Sequence, residues 1–267
     1  MSAEPNRPTL SAEGLHRAAA DLPWRQLEVV PTTGSTNADV LRRAEAGAGE
    51  GLVIAADEQT AGRGRLGRTW ASPPGASVSV SVLLRPRLSA AQLGWLPLLT
   101  GLSVAAGIGQ TSGLEAVLKW PNDVLVAEGR PGKVAGILLE RSGTAACVGF
   151  GINTAMTADE LPVPEASSLM LAGATAADPD VLVAACLRQL QHRYERLLGS
   201  GGDAVRSGLA DEYSARCSTL GREVVVDLPD GQVLRGVAEG IDEGGRLRIV
   251  AAGGEHCVAA GDVTHVR

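Results

Sequence analysis

The sequence predicts an α+β fold in which a large domain, residues 1–218, precedes a small β domain, residues 219–267. The chain has 267 residues, of which 45% are hydrophobic, so it is long and apolar enough to bury a core of that size. Before residue 218, segments with a helical period alternate with segments of strand period. From Gly221 onward, short β runs are separated by glycine turns at 229–231, 244–245 and 253–254, which predicts an SH3-like barrel.

The first elements of the large domain follow in order. A helix near residues 15–20 and a strand near 27–30 are too little for a separate winged-helix DNA-binding domain. Ser35 or Thr36 caps a helix that runs toward Ala46, with Asp39 in capping-box register after Thr36 and Gly47 as its stop. A strand over 52–56 then leads into a loop rich in glycine and arginine.

The remaining elements follow that loop. Serine and valine alternate over 77–83, which predicts a strand with valines on one face and serines on the other. The apolar stretch 93–109 contains Pro97, Gly101 and Ser103, so we expect a buried helix starting near residue 90 rather than a membrane span. Residues 133–140 and 145–149 are predicted as antiparallel strands, and residues 180–198 and 205–215 as helices.

Charge and cysteine content exclude several classes of protein. The net charge of −6 argues against nucleic-acid binding, yet residues 60–114 carry no acidic side chain and five arginines, which suits a small anionic ligand. These arginines are Arg63, Arg65, Arg68, Arg85 and Arg87. The four cysteines lack the spacing of a zinc site, so we expect buried free thiols and no protein metal site. Without an apolar leader, the N-terminal sequence predicts a cytoplasmic protein.

The loop 59–70 formally contains the G-x-G-x-x-G pattern of dinucleotide-binding proteins. A dinucleotide site needs a helix directly after the last glycine and an acidic residue about 20 positions later. Pro73 and Pro74 block that helix, and the positions near residue 87 are basic. Alternating glycine and arginine instead predict a mobile lid whose guanidinium groups close over a carboxylate and a phosphate.

Lysine and asparagine are rare and clustered. Lys119 and Lys133 are the only lysines among 24 basic residues, which indicates positions where a compact ammonium group is needed. Three of the four asparagines, Asn37, Asn122 and Asn153, lie in the same segments as the other candidate site residues.

Five motifs in this order and spacing resemble those of biotin protein ligases. They are SerThrAsn at 35–37, GRGRLGRTW at 62–70, KWPND at 119–123, KVAGIL at 133–138 and GFGIN at 149–153. The resemblance covers residues 33–154, and more loosely the C-terminal segment. It implies a mixed sheet with flanking helices, similar to class II aminoacyl-tRNA synthetases, followed by the SH3-like barrel, in a form without an N-terminal DNA-binding domain.

The resemblance also implies site residues. It places biotin against Ser35, Thr36, Asn37, Gln59, Arg63, Gly64, Arg65, Lys133 and Gly136. It places ATP, which brings Mg²⁺, against Arg65, Arg68, Trp70, Asn122, Lys133 and Asn153. The implied catalytic residues are Lys133, Arg63 and Arg65, with Lys133 at the biotin carboxylate and the α-phosphate. Residues 161–171 match no motif, and their contacts stay open.

The implied activity is ATP-dependent formation of biotinyl-5′-AMP and transfer of biotin to a lysine of a biotin carboxyl carrier domain of an acyl-CoA carboxylase. No covalent enzyme intermediate is expected, because the sequence shows no nucleophile paired with a base. We expect a monomer or weak homodimer that binds neither nucleic acid nor membrane. The alternatives are a lipoate or octanoate protein ligase or transferase, a biotin-sensing repressor, and a non-catalytic adenylate-binding module.

Overall fold

The computed structural model of the chain describes residues 7–174 and 178–266. The helices are α1 Ala12–Ala18, α2 Thr36–Glu45, α3 Trp95–Ser112, α4 Pro179–Gly199 and α5 Leu209–Arg216. The strands of the large sheet are β1 Gln26–Thr33, β2 Leu52–Gln59, β3 Ser77–Leu84, β4 Ala116–Lys119, β5 Asp123–Val126, β6 Gly132–Ser142 and β7 Ala145–Asn153. Those of the small sheet are β8 Glu223–Asp227, β9 Val233–Ile241, β10 Leu247–Ala251, β11 Gly254–Val258 and β12 Asp262–His265.

The large sheet is mixed and has helices on both faces, as predicted. Its strand order is β1-β2-β3-β7-β6-β5-β4, with β1 parallel to β2 and every other pair antiparallel. Helix α2 packs on one face against β2, β3, β6 and β7, whereas α3 and α4 pack against each other on the opposite face. The predicted antiparallel pairing of β6 with β7 is confirmed.

Alternation along β3 separates the two faces of this sheet. Val78, Val80 and Val82 join the main hydrophobic core. Ser77, Ser79 and Ser81 point to the α2 face and are also fully buried, with exposures of at most 2%. Burial of the serine row means that something other than bulk solvent covers this face of the sheet.

Helix α3 is the predicted apolar helix. The stretch Gln92–Ser112 has the length and hydropathy of a membrane span, but most of its apolar window is buried inside the protein. Leu96, Leu99 and Leu102 have no exposed surface. The prediction of a core helix is therefore confirmed.

The C-terminal strands form a separate all-β sheet, in the order β11-β10-β9-β8-β12. An all-β C-terminal unit is therefore confirmed, but within the described residues the pairing stays open and does not close into the predicted barrel. Two indoles hold this sheet to the large domain: Trp95 Nε1 donates to Glu243 O at 2.9 Å, and Trp120 Nε1 donates to Gly245 O at 3.0 Å. The hydrophobic core runs continuously into the small sheet through Val226 and Val263.

Several local predictions need correction. Ser35 is the cap of α2 and its side chain accepts from Ala38 N, so Asp39 is not the third helical residue and instead accepts from Thr33 Oγ1 at 2.5 Å. Helix α5 begins at Leu209, because Gly208 before it adopts a φ of 74°. Cys147, Cys186 and Cys217 are buried as expected, but Cys257 is exposed. It lies on β11, an edge strand of the small sheet.

Candidate active site

A cavity of about 630 Å³ lies on the α2 face of the large sheet. It brings together every site residue predicted from the motifs. These are Ser35, Thr36, Asn37, Gln59, Arg63, Gly64, Arg65, Arg68, Trp70, Asn122, Lys133, Gly136 and Asn153. Ser79 of β3 belongs to its floor, whereas Ser81 is covered by Thr36 and Asn37 of α2 and Ser77 contacts Ser72.

The floor is built from small residues that lie side by side across three strands. Gly136 on β6 pairs with Gly151 on β7, which pairs with Ser79 on β3. The absence of side chains here leaves room for Trp70, because a Cβ on Gly151 would stand 2.5 Å from its indole and one on Gly136 would stand 3.1 Å from it. Trp70 therefore lies directly on the backbone of β6 and β7, with Nε1 buried and unpaired among the described residues.

A β-bulge places Lys133 on the same face as this floor. Leu125 and Val124 on β5 pair with Lys133 and Ala135, so Val134 is left without a partner. Strict alternation would put Lys133 and Gly136 on opposite faces of the sheet, and the extra residue cancels that difference. The Lys133 ammonium group consequently lies 5.7 Å from the centre of the Trp70 ring and 2.6 Å from Asp123 Oδ1.

The N-terminus of α2 supplies a second wall. Gln59 Oε1 accepts from Thr36 N at 2.8 Å and from Thr36 Oγ1 at 3.1 Å. Ser81 Oγ lies 2.5 Å from Asn37 Oδ1 and 2.7 Å from Thr36 Oγ1. The polar side chains at this end are thus fixed by one another, which preorganises them for a small polar ligand.

The glycine-arginine loop forms a narrow hairpin over the cavity. Gln59 pairs with Ser72, Arg63 pairs with Thr69, and Gly64 N donates to Arg68 O at 2.7 Å. The segment Arg65–Gly67 is one short turn with Leu66 at a φ of 54°, and no α-helix follows it. The rejection of a dinucleotide fingerprint is confirmed, since that fingerprint requires a helix at this point.

Each of the three arginines of the glycine-arginine loop has a distinct partner. Arg63 pairs with Glu140 at 3.1 Å, and Arg68 pairs with Asp262. Arg65 contacts neutral oxygens, Asn122 Oδ1 at 3.2 Å and Gly261 O at 3.4 Å. Burial lowers the pKa of the Arg65 guanidinium, and the nearby Asp123 carboxylate opposes this effect. A desolvated cation with neutral partners is well suited to an incoming anion.

The side chains of Asn122 and Asn153 each donate a hydrogen bond to a backbone carbonyl group. Asn122 lies in the turn between β4 and β5, and its Nδ2 donates to Ile137 O at 3.1 Å. Asn153 Nδ2 donates to Ser167 O at 2.9 Å, whereas its buried Oδ1 has no partner among the described residues. Asn153 therefore lines the cavity with a buried acceptor that no described group satisfies.

Two parts of the site were not predicted from the sequence. Residues 162–166, within the segment that matched no motif, form part of the cavity wall through Pro162, Val163, Glu165 and Ala166. Lys133 N donates to Glu165 O at 2.8 Å, which fixes this segment beside the lysine. The small sheet adds residues 261–264 and Asp227 to the wall, where Arg65 contacts Gly261 and Arg68 contacts Asp262.

Comparison with known proteins gives consistent results for sequence and structure. Residues 29–153 match the biotin/lipoate A/B protein ligase family, and residues 219–266 match the biotin protein ligase C-terminal domain. A biotin–[acetyl-CoA-carboxylase] ligase of Mycobacterium tuberculosis is 42% identical over 91% of this chain and 90% of its own length. This chain belongs to the biotin protein ligase family.

Other biotin protein ligases show similar agreement. The biotin–[acetyl-CoA-carboxylase] ligase of Paracoccus denitrificans is 35% identical over 86% of this chain and 97% of its own length. The biotin protein ligase from Aquifex aeolicus, solved with biotin and ATP, superposes with a TM-score of 0.73 at 28% identity. It covers 91% of this chain and 99% of the Aquifex chain. The family resemblance read from the five motifs is confirmed, and the roles of individual residues stay predictions.

Proposed function

We propose that this biotin protein ligase uses ATP to convert biotin to biotinyl-5′-AMP and then transfers biotin to a lysine of a carrier protein. One observation carries the proposal: a cavity with a glycine floor is covered by a hairpin bearing Arg63, Arg65 and Arg68, with Lys133 inside it. That arrangement suits the condensation of a carboxylate with a nucleotide phosphate, where several negative charges must be held together.

We assign the two ends of the cavity to the two substrates. The α2 end would take biotin, through Ser35, Thr36, Asn37, Gln59, Gly64 and Gly136. The opposite end, with Trp70, Arg68, Asn122 and Asn153, would take ATP together with its Mg²⁺. Trp70 offers an aromatic surface to the adenine, and the asparagines offer amide hydrogen bonds. Lys133 lies between these groups, 5.7 Å from the Trp70 ring.

The chemistry then needs no enzyme nucleophile. A biotin carboxylate oxygen attacks the α-phosphorus of ATP, the bond to the β-phosphate oxygen breaks, and pyrophosphate leaves. The carrier lysine next attacks the acyl carbon of the mixed anhydride, loses a proton, and expels AMP. The contribution of Lys133, Arg63 and Arg65 is to position the reacting groups and stabilise the negative charge in the transition state.

The acceptor and the setting of the reaction belong to this proposal. We propose a biotin carboxyl carrier domain of an acyl-CoA carboxylase as the acceptor, because the relatives are named as ligases of acetyl-CoA carboxylase. We also propose a cytoplasmic enzyme that is a monomer or weak dimer and has no affinity for nucleic acid; the net charge of −6 supports the last point. We also retain an SH3-like relationship for residues 219–267, because the last strand, β12, returns to pair with the first, β8.

Pyrophosphate exchange tests the proposed function directly. The chain should catalyse exchange of labelled pyrophosphate into ATP when biotin is present, and neither octanoate nor lipoate should replace biotin. These two acids are the essential controls because the matching family model includes lipoate ligases. Exchange with octanoate or lipoate but not with biotin would favour the alternative acyl substrate. Biotin binding without any exchange would indicate a non-catalytic module.

The lid gives a separate prediction for Arg65. We expect Arg65→Gly to release biotinyl-5′-AMP about tenfold faster, because it removes charged hydrogen bonds from the lid to Asn122 and Gly261. Rapid filtration of the enzyme with labelled adenylate measures this release. Arg87→Gly is the control, since Arg87 is exposed in the same acid-free segment and lies outside the cavity. Equal release from both variants would contradict a closing role for Arg65.

A further inference from the structure

Glu140 lies just outside the cavity, behind the residues that line it. It is the β6 residue two positions after Leu138, and both residues occupy the face that carries Gly136. Its side chain is about a quarter exposed and is absent from the cavity wall. No motif singled it out, yet it contacts two predicted site residues that are distant in the sequence.

Both contacts are made by the same carboxylate oxygen. Glu140 Oε2 accepts from Asn37 Nδ2 at 2.8 Å, and it lies 3.1 Å from Arg63 Nη2. Asn37 belongs to the N-terminus of α2, and Arg63 belongs to the lid hairpin. One atom therefore joins the wall assigned to biotin to the lid that covers it.

The carboxylate also determines which way the Asn37 amide faces. An ionised carboxylate accepts hydrogen bonds and cannot donate them, so the Asn37 NH₂ group must face Glu140. The NH₂ group has a second acceptor in Leu138 O at 3.3 Å. The Asn37 carbonyl oxygen is then directed over Gly149, where even a Cβ would collide with it. The same oxygen accepts from Ser81 Oγ at 2.5 Å, so the Asn37 amide is held from both sides.

We infer that Glu140 is a positioning residue that couples lid closure to the biotin wall by holding the Asn37 amide and Arg63 through one oxygen. When the lid is closed, Arg63 neutralises the charge of a carboxylate that is already orienting Asn37. When the lid opens, that carboxylate loses its counter-ion and the lid loses an anchor. This inference rests on the proposed function, because it assigns the coupling to retention of biotin and its adenylate.

Two variants separate the two contacts. Glu140→Gln keeps an acceptor for Asn37 but removes the charge that attracts Arg63, so escape of biotinyl-5′-AMP should rise about two- to fivefold. Glu140→Ala removes both contacts and should in addition weaken biotin binding about five- to tenfold, since the Asn37 donor loses its shorter bond. Calorimetric titration with biotin and rapid filtration of labelled biotinyl-5′-AMP provide the two readouts.

A double-mutant cycle identifies the coupling. In an Arg63→Ala background, Glu140→Gln should cause no further increase in adenylate escape, because the partner charge is already absent. Glu45→Gln is the matched control: Glu45 accepts from Ser142 Oγ at 2.9 Å, which also joins α2 to β6, but it lies away from the lid. That variant should behave as wild type in both assays.

The outcomes distinguish this inference from the proposed function. Additive effects of Arg63→Ala and Glu140→Gln on escape would overturn the inference, as would escape from Glu140→Gln at the wild-type rate. A wild-type chain that neither binds biotin nor forms its adenylate would overturn the proposed function itself. Thermal unfolding of each variant shows whether a change in binding arises from loss of the fold, and Glu140→Gln, which keeps the shape of the side chain, then decides the question.

Discussion

Lys133→Ala should lower the rate of biotin-dependent pyrophosphate exchange at least about 10²- to 10³-fold, the loss typical when one preorganised donor is removed from a transition state. The structure gives the reason for so large an effect. The β-bulge at Val134 places the Lys133 ammonium group on the cavity face of β6, and the ion pair with Asp123 at 2.6 Å fixes its position. No other lysine lies on that strand.

The control for this prediction is Arg141→Ala. Arg141 is an exposed cation on the same strand and lies outside the cavity wall, so its removal should leave exchange unchanged. Thermal unfolding should show that both variants keep the fold. Near-normal exchange by Lys133→Ala, with the fold intact, would exclude the assignment of Lys133 as the residue at the biotin carboxylate and the α-phosphate.

The sequence could predict which residues line the cavity, because the residue types in each motif and their spacing indicate where it lies and what it does. Alternation of serine and valine in β3 predicted two distinct faces, and the structure places the serine face at the cavity. The repeated glycines and arginines predicted the lid, which forms a hairpin over residues 59–72. In β3 and in the loop 59–72, the position expected from the local sequence pattern is the position found in the fold.

The sequence could not predict features that depend on pairing between distant segments. Strands β4 and β5 were missed, because four residues each are too short to show a period. The residues at 133–138 give no sign of the bulge at Val134, which follows from pairing with β5. The carboxylate partners of the lid, Glu140 and Asp262, are far from it in the chain, so only the fold identifies them.

Gly151→Ala should lower the affinity for ATP about tenfold or more, because the added methyl group would displace the Trp70 indole from the cavity floor. A Cβ on Gly151 would lie 2.5 Å from Trp70 Cε2 and Nε1. The indole that we assign to the adenine would therefore have to move away from β7. Gly151 is buried in a central strand and pairs with Ser79 and Gly136, which prevents the strand from moving away. Equilibrium titration with ATP, in the presence and absence of biotin, measures the change.

Gly199→Ala is the matched control for this ATP titration. A Cβ on Gly199, the last residue of α4, meets no atom within 4 Å, so Gly199→Ala should bind ATP as wild type does. Because biotin is assigned to the α2 end, Gly151→Ala should also change biotin affinity less than ATP affinity. An equal loss for both ligands would show that the two substrates share the part of the floor beneath Trp70. Unchanged ATP affinity with a displaced indole, detected by tryptophan fluorescence, would remove Trp70 from the nucleotide site.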